Sequence, residues 1–277
     1  MNARVLIAGA GDVGLRVARL LRDRGAEVWA LRRGVGAPEA GIQWIQGDLT
    51  QPDTLRSLPT QISHIVYLPT PDARDESRYR AIFVDGLRHL LDAVNPQHLQ
   101  RLLFVSSSAV YGEHGDAWVD EDTPPAPPGF NGRVLLEAEH LASERVPSVV
   151  LRLAGLYGPG RMQLIERLRS GAARVPRQQP HWSNRIHVDD AAAAIVHLLF
   201  LPDPAPLYVG VDNTPLPLDV LYDHLAKLVH APLPGDGAAP AGVGSKRLSN
   251  ARLRASGFVP QWPDAREAYA ALLGHHG

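Results

Sequence analysis

Arg4-Val5-Leu6-Ile7-Ala8-Gly9-Ala10-Gly11-Asp12-Val13-Gly14 is the stretch that decides the fold. Val5 to Ala8 form a short apolar run with β-branched members, which reads as a buried strand. Val13, Val17, Leu20 and Leu21 then recur at i, i+4, i+7 and i+8, the period of an amphipathic helix. Between strand and helix stands G-x-G-x-x-G, and each glycine has a physical task. Gly9 permits the tight turn out of the strand. Gly11 lets backbone amides approach a pyrophosphate, and Gly14 lets the helix pack against the strand. Ala10, Asp12 and Val13 complete a loop that runs into a helix N-terminus, whose N–H groups and dipole favour phosphate. A glycine turn that binds nothing is the bland alternative. Its place directly after a strand and before an amphipathic helix weighs against that alternative.

Downstream, the same rhythm repeats. Glu27-Val28-Trp29-Ala30-Leu31 reads as a second strand, and it ends in Arg32-Arg33-Gly34. An acidic residue there would bind a ribose 2′-hydroxyl. Two cations suit a 2′-phosphate instead, so NADP(H) is favoured over NAD(H), against the plain alternative of two solvated arginines. Further strands are expected at 42–46, 64–68, 101–105 and 148–153, and helices at 77–94 and 133–143. Alternation of this kind behind an N-terminal phosphate loop predicts an α/β fold, a Rossmann-type doubly wound parallel sheet. After Gly160 the texture changes to short elements and loops. Residues 1–160 should therefore be mainly the nucleotide-binding domain and 161–277 mainly a small C-terminal lobe, with a helix at 190–201 and a strand at 207–211 returning to the main sheet. Gly235–Gly244, rich in small residues, reads as a surface loop.

The totals exclude several classes. With 277 residues and a formal net charge of -1, the chain has ample material for a core and no global field favouring nucleic acid or an anionic membrane. It has no cysteine, which removes disulfides and thiolate metal sites and fits a reducing, cytoplasmic setting. Met1-Asn2-Ala3-Arg4 leads straight into the first strand, so no signal peptide is expected. No apolar run approaches the ~20 residues that span a bilayer.

Read as far as Ser106-Ser107-Ser108-Ala109-Val110-Tyr111-Gly112, the sequence resembles the extended short-chain dehydrogenase/reductases, the NAD(P)-dependent epimerase/dehydratase family. Gly9–Gly14, Gly47-Asp48-Leu49, Val84-Asp85-Gly86-Leu87, Arg152–Gly160 and Asn184–Ala191 carry the likeness, as does the tail from Ser249 to Pro260. The resemblance implies that Asp48 and Leu49 sit at the adenine, and that Pro69, Thr70 and Ser106 line the cofactor groove. It makes Ser107 the residue that hydrogen-bonds the substrate oxygen, and it puts Tyr157 in the loop flanking the nicotinamide. Asn184–Asp190 would join the two lobes. A small polar substrate, with sugar nucleotides among the candidates, and a homodimer through 77–94 and 133–143 are further implications.

One departure from the family pattern matters more than the matches. The family uses a tyrosine as general acid/base, with a lysine four residues later that lowers its pKa. The corresponding segment here is Phe130-Asn131-Gly132-Arg133-Val134-Leu135. One register puts Asn131 and Leu135 at the two positions, and the other puts Phe130 and Val134 there. The chain has only two lysines, Lys227 and Lys246, and neither follows a tyrosine by four. The chain therefore reads as an atypical member that keeps the dinucleotide loop and lacks the catalytic pair. It is either an oxidoreductase or epimerase-like enzyme with substituted proton transfer, or a non-catalytic NADP(H)-binding sensor.

Other candidates are weaker. Ser107 competes with the reading that a serine run simply satisfies turn backbone. Tyr111 is a weak proton donor candidate and reads better as packing. His181, His187, Asp189 and Asp190 lack metal-site spacing, so no metal is expected. Asp189 and Asp190 look like a cap for a helix starting at Ala191. Glu137 and Glu139 must face different ways on their helix, and Arg152 reads as structural. His275-His276 stand near the end of the sequence.

Overall fold

The computed structural model describes residues 3–34 and 37–274; Met1-Asn2 and His275-His276 lie outside them. The chain forms two compact units. The first comprises Met1–Val110, Gly129–Arg152 and Ala192–Tyr208, and the second comprises Tyr111–Pro128, Leu153–Ala191 and Val209–Gly277. The chain thus passes repeatedly from one unit to the other, and the change of texture after Gly160 does not coincide with any of the crossings.

The first unit is built on a seven-stranded sheet. Its strands are β1 (Arg4–Ala8), β2 (Glu27–Arg32), β3 (Ile42–Gln46), β4 (His64–Tyr67), β5 (Arg101–Ser107), β6 (Ser148–Leu153) and β7 (Leu207–Gly210). The spatial order is β7-β6-β5-β4-β1-β2-β3. The order reverses between β1 and β4, both parallel to their neighbours, so the ends of β1 and β4 flank the switch point where ligands bind in such sheets. Val5, Leu6, Ile7 and Ala8 are fully buried, as a central strand covered on both faces requires. Each large member of that run contributes ~1.5–3 kcal/mol of apolar burial.

Helix α1 (Asp12–Asp23) buries Val13, Gly14, Val17, Ala18 and Leu21. Leu20, expected on that face, is 36% exposed, because the inner stripe passes through Ala18 instead. The helix expected at 77–94 runs as α2 (Glu76–Arg80), a π-helical turn at Ala81–Asp85 and α3 (Gly86–Ala93). The buried Tyr67 hydroxyl donates to the Ile82 carbonyl within that turn at 2.6 Å. A Cβ at Gly86 would lie 3.0 Å from the same hydroxyl and 3.0 Å from Leu49 Cβ, so a larger residue there would have to push its neighbours aside. Helix α4 (Phe130–Arg145) is longer than its periodicity implies, and α5 (Val188–Phe200) starts earlier. Asp189 and Asp190 are consequently in the first turn of α5 rather than before it.

The second unit has its own core around Tyr157, Leu168, Leu221, Leu225 and Tyr269. Four short strand pairs brace it. They are Gly155–Tyr157 with Arg185–His187, Trp182–Ser183 with Leu216–Pro217, Arg174–Val175 with Gly235–Asp236, and Trp118–Val119 with Arg247–Leu248. Gly235–Gly244 is therefore not a plain loop, since its first two residues pair as a strand. No described helix is long and apolar enough to cross a membrane.

Candidate functional site

The glycine loop leaves β1 at the switch point. Gly9 adopts φ +104, and a Cβ there would lie 2.6 Å from Leu68 and Pro69 backbone atoms. A Cβ on Gly14 would lie 2.6 Å from the Gly9 carbonyl oxygen. Two glycines are thus required by the protein's own packing. Gly11 differs: a Cβ there would meet nothing within 4 Å. No described residue beyond its chain neighbours demands glycine at this exposed position, the one where a pyrophosphate would approach the backbone. The amides of Gly9 and Ala10 both donate to the Leu31 carbonyl at 3.2 Å, which ties the loop to the end of β2. Gly11 caps α1 without a side-chain bond, Asp12 pairs with Arg16 at 3.0 Å, and Val13 turns into the core.

At the end of β2 the Arg32 guanidinium lies 5.7 Å from the Trp44 ring centroid, and Arg33 is ion-paired to Asp72 in the segment after β4. Asp48 follows β3. Its carboxylate accepts the Thr50 amide at 2.9 Å and the Thr50 hydroxyl at 2.8 Å. Burial opposes ionisation of Asp48, but these bonds and the nearby Arg33 and Arg78 charges outweigh it and hold the carboxyl below its ordinary value. Leu49 is buried, and its carbonyl is bonded by His89 Nδ1 at 2.8 Å. Pro69 is half-buried and Thr70 exposed. Arg32, Arg33, Asp48 and Pro69–Thr70 all stand at or beyond the C-terminal ends of their strands, the edge on which β1 delivers the glycine loop.

Ser106 and Ser107 are the last residues of β5 rather than a turn beyond it. Their side chains have opposite fates, as alternation along a strand dictates. Ser106 is 5% exposed, and its hydroxyl donates to Glu139 Oε1 at 2.5 Å. Glu139 in turn accepts from Arg152 Nε at 3.1 Å and Nη2 at 2.7 Å, both residues being buried. Glu137, two residues away, points elsewhere and pairs with Arg80. Ser107 is half-buried, and its oxygen accepts the Ala109 amide at 3.2 Å. On α4, Leu135 is 4% exposed and Val134 2%, so both side chains are taken up by apolar packing.

The remaining candidates are in the second unit. Tyr111 is 1% exposed and its hydroxyl donates to the Asp120 carbonyl at 2.8 Å. Tyr157, also 1% exposed, is stacked on Tyr269 with ring centroids 4.8 Å apart. Burial pushes its phenol far above the ordinary tyrosine value, and its hydroxyl has no hydrogen-bond partner among the described residues. Asp190, expected from sequence to cap a helix, instead accepts the amides of Gln261 at 2.7 Å and Trp262 at 2.9 Å. The reason is tertiary: Asp190 is itself buried, and the 261–262 segment brings two N–H groups that satisfy its carboxylate. Sequence reading missed Asp72 and Arg78, which flank Arg33. Nothing in their spacing marks them, because the loop after β4 and the start of α2 meet β2 only in the fold.

A parallel seven-stranded sheet with a glycine loop at its switch point defines a Rossmann-type α/β protein. The chain belongs to the NAD dependent epimerase/dehydratase family, whose model matches residues 5–208. Protein YeeZ of Escherichia coli (strain K12) is 28% identical over 275 residues, 94% of this chain and 97% of that one. A solved structure from Methylobacillus flagellatus, described as an NAD-dependent epimerase/dehydratase, is 39% identical, with a TM-score of 0.85, and covers 100% of this chain and 99% of that one. The UDP-glucose 4-epimerase of Thermus thermophilus, solved in complex with NAD, shares the fold at 22% identity and a TM-score of 0.80, covering 98% of each chain.

Proposed function

We propose that the protein binds NADP(H) in preference to NAD(H) and acts as an atypical oxidoreductase or epimerase-like enzyme on a small polar substrate, of which a sugar nucleotide is one candidate. Gly11 carries the cofactor part of this reading: it is a glycine that the protein's own packing does not need, at the head of α1, beside a loop bonded to β2. Bound nicotinamide supplies hydride chemistry at C4. The chain's own residues hold the dinucleotide and orient the reacting oxygen. Ser107, with its oxygen accepting the Ala109 amide, has its hydroxyl hydrogen left to donate to a substrate oxygen. Arg32 and Arg33 at the end of β2 supply positive charge for a 2′-phosphate.

Proton transfer is where this chain departs from its family. Neither Tyr111 nor Tyr157 replaces the missing general acid: the first is bonded to a backbone carbonyl, and the phenol of the second is held far above its ordinary value. The proton then comes from water or from the substrate itself, with a loss in rate of roughly 10²–10⁴-fold relative to a positioned group. The same observation favours a second reading, an NADP(H)-binding sensor without turnover. Calorimetry with both dinucleotides, followed by a substrate panel monitored through absorbance of the reduced cofactor, separates the two. Binding with turnover supports the enzyme, and binding without turnover across the panel supports the sensor. Failure to bind either dinucleotide removes both readings. Arg32→Asp should weaken NADP(H) at least about tenfold more than NAD(H), and an equal effect on both would refute the preference.

A further inference from the structure

Asp72 is gripped from two sides. Arg78 Nε donates to Asp72 Oδ1 at 2.5 Å and Arg78 Nη2 to Oδ2 at 3.0 Å, while Arg33 Nη1 donates to Oδ2 as well. Three guanidinium N–H groups from two arginines therefore converge on one carboxylate. One arginine directly follows β2, the other lies on α2, and the acid lies in the segment after β4. Asp48 adds a further carboxylate to the field of both arginines. Arg78 and Arg33 together hold the Asp72 carboxyl far below its ordinary value, so it is an anion throughout the working range of pH.

Converging guanidinium forks are the geometry that recognises phosphate, which offers three acceptor oxygens and nearly two charges where a carboxylate offers two oxygens and one charge. The place is the end of β2, where a dinucleotide's adenosine ribose is read. A carboxylate at that place has the opposite preference, because it accepts a hydrogen bond from a free 2′-hydroxyl and repels a 2′-phosphate.

We infer that Arg33 and Arg78 form a two-arginine 2′-phosphate site and that Asp72 is its internal competitor, the residue that limits discrimination between phosphorylated and unphosphorylated dinucleotide. This inference rests on the cofactor reading above and adds Arg78 and Asp72 to it. A 2′-phosphate enters by displacing the Asp72 carboxylate from the two arginines. NAD(H) leaves the three-way ion pair in place and donates its 2′-hydroxyl to Asp72. Exposed ion pairs of this kind are weak, so displacement is readily reversible.

The test is calorimetry of the full chain with NADP⁺, NAD⁺, adenosine 2′,5′-bisphosphate and 5′-AMP. The proteins are wild type, Asp72→Asn and Arg78→Gln, each checked by thermal melting. Asp72→Asn should raise the affinity ratio of NADP⁺ to NAD⁺ by about three- to tenfold, the scale of one exposed charged contact. Arg78→Gln should lower it by about tenfold, and the bisphosphate-to-AMP ratio should follow both changes. Asp72→Ser replaces Asp72→Asn if the latter melts early. Dinucleotide binding with ratios unmoved by either substitution overturns the inference and leaves the cofactor reading intact. Absence of any dinucleotide binding to wild type overturns both.

Discussion

At the scale of single residues, the three glycines of the first loop make separable predictions. Gly14→Ala puts a methyl 2.6 Å from the Gly9 carbonyl oxygen, a contact that backbone must move to relieve. It should lower the melting temperature and reduce soluble yield. Gly11→Ala meets no atom of the described residues within 4 Å beyond its chain neighbours, so the melting temperature of the unliganded chain should stay within error. Its effect belongs to the ligand: the methyl occupies the space through which backbone amides approach a pyrophosphate, and affinity for either dinucleotide should fall at least about tenfold. Melting curves with and without dinucleotide check both. A Gly11→Ala variant that binds normally would show that no pyrophosphate approaches this backbone. All three glycines were legible in the sequence as a motif. Which of them serves the fold and which serves a ligand was not, because that depends on what stands opposite each missing side chain.

At the scale of elements, β5, α4 and β6 are held together by Ser106, Glu139 and Arg152, one residue from each. The three are buried, so the pair's worth lies in its completeness rather than in its charge. Arg152→Ala leaves Glu139 and Ser106 facing an uncompensated cavity and should destabilise the chain by ~3–5 kcal/mol in urea unfolding. The double substitution Arg152→Met with Glu139→Leu should be markedly less destabilising, since no charge is left stranded. If the double variant were the less stable of the two, the ion pair would have a net value beyond mutual compensation. The sequence pointed to a structural Arg152 and to Glu137 and Glu139 on different faces of one helix. It did not show that Glu139 reaches Ser106, because residues 33 apart meet only when β5 and α4 pack. The same packing separates Ser106 from Ser107: adjacent residues on a strand face opposite ways, so one is committed to Glu139 while the other accepts the Ala109 amide.

At the scale of the whole molecule, stability should depend on pH through Asp212. Burial pushes its carboxyl up to about 8, the Thr214 amide bond opposes that shift, Asp264 adds to it and Arg185 opposes it. Tyr157 is another titratable side chain coupled to it, and Asp212 Oδ2 has no hydrogen-bond partner among the described residues. The folded chain therefore binds a proton that the unfolded chain releases above about pH 4. Folding stability contributed by this group is present in full below that pH, falls as pH rises toward 8 and levels off beyond it. Asp190, raised by burial, acts in the same direction. Asp212→Asn should flatten the decline between about pH 5 and pH 8 in thermal or urea unfolding; an unchanged slope would show that Asp212 is ionised in the folded protein.

The division into units is also a whole-molecule property. The change in texture along the chain suggests a split near residue 160, whereas the chain crosses between its compact units after residues 110, 128, 152, 191 and 208. Local periodicity carries no information about which segments return, because return is decided by the burial of distant faces. What the sequence determined by itself was the α/β class, the glycine loop and its place after the first strand, and the lack of a Tyr-x-x-x-Lys pair. These follow from short-range pattern and from the presence or absence of residue types. The tertiary structure alone decided that Gly11 faces open space, that Glu139 claims Ser106 but not Ser107, and that Asp72 stands between Arg33 and Arg78. Each of these depends on groups apart in the chain, and only packing decides which of their atoms come within reach of one another.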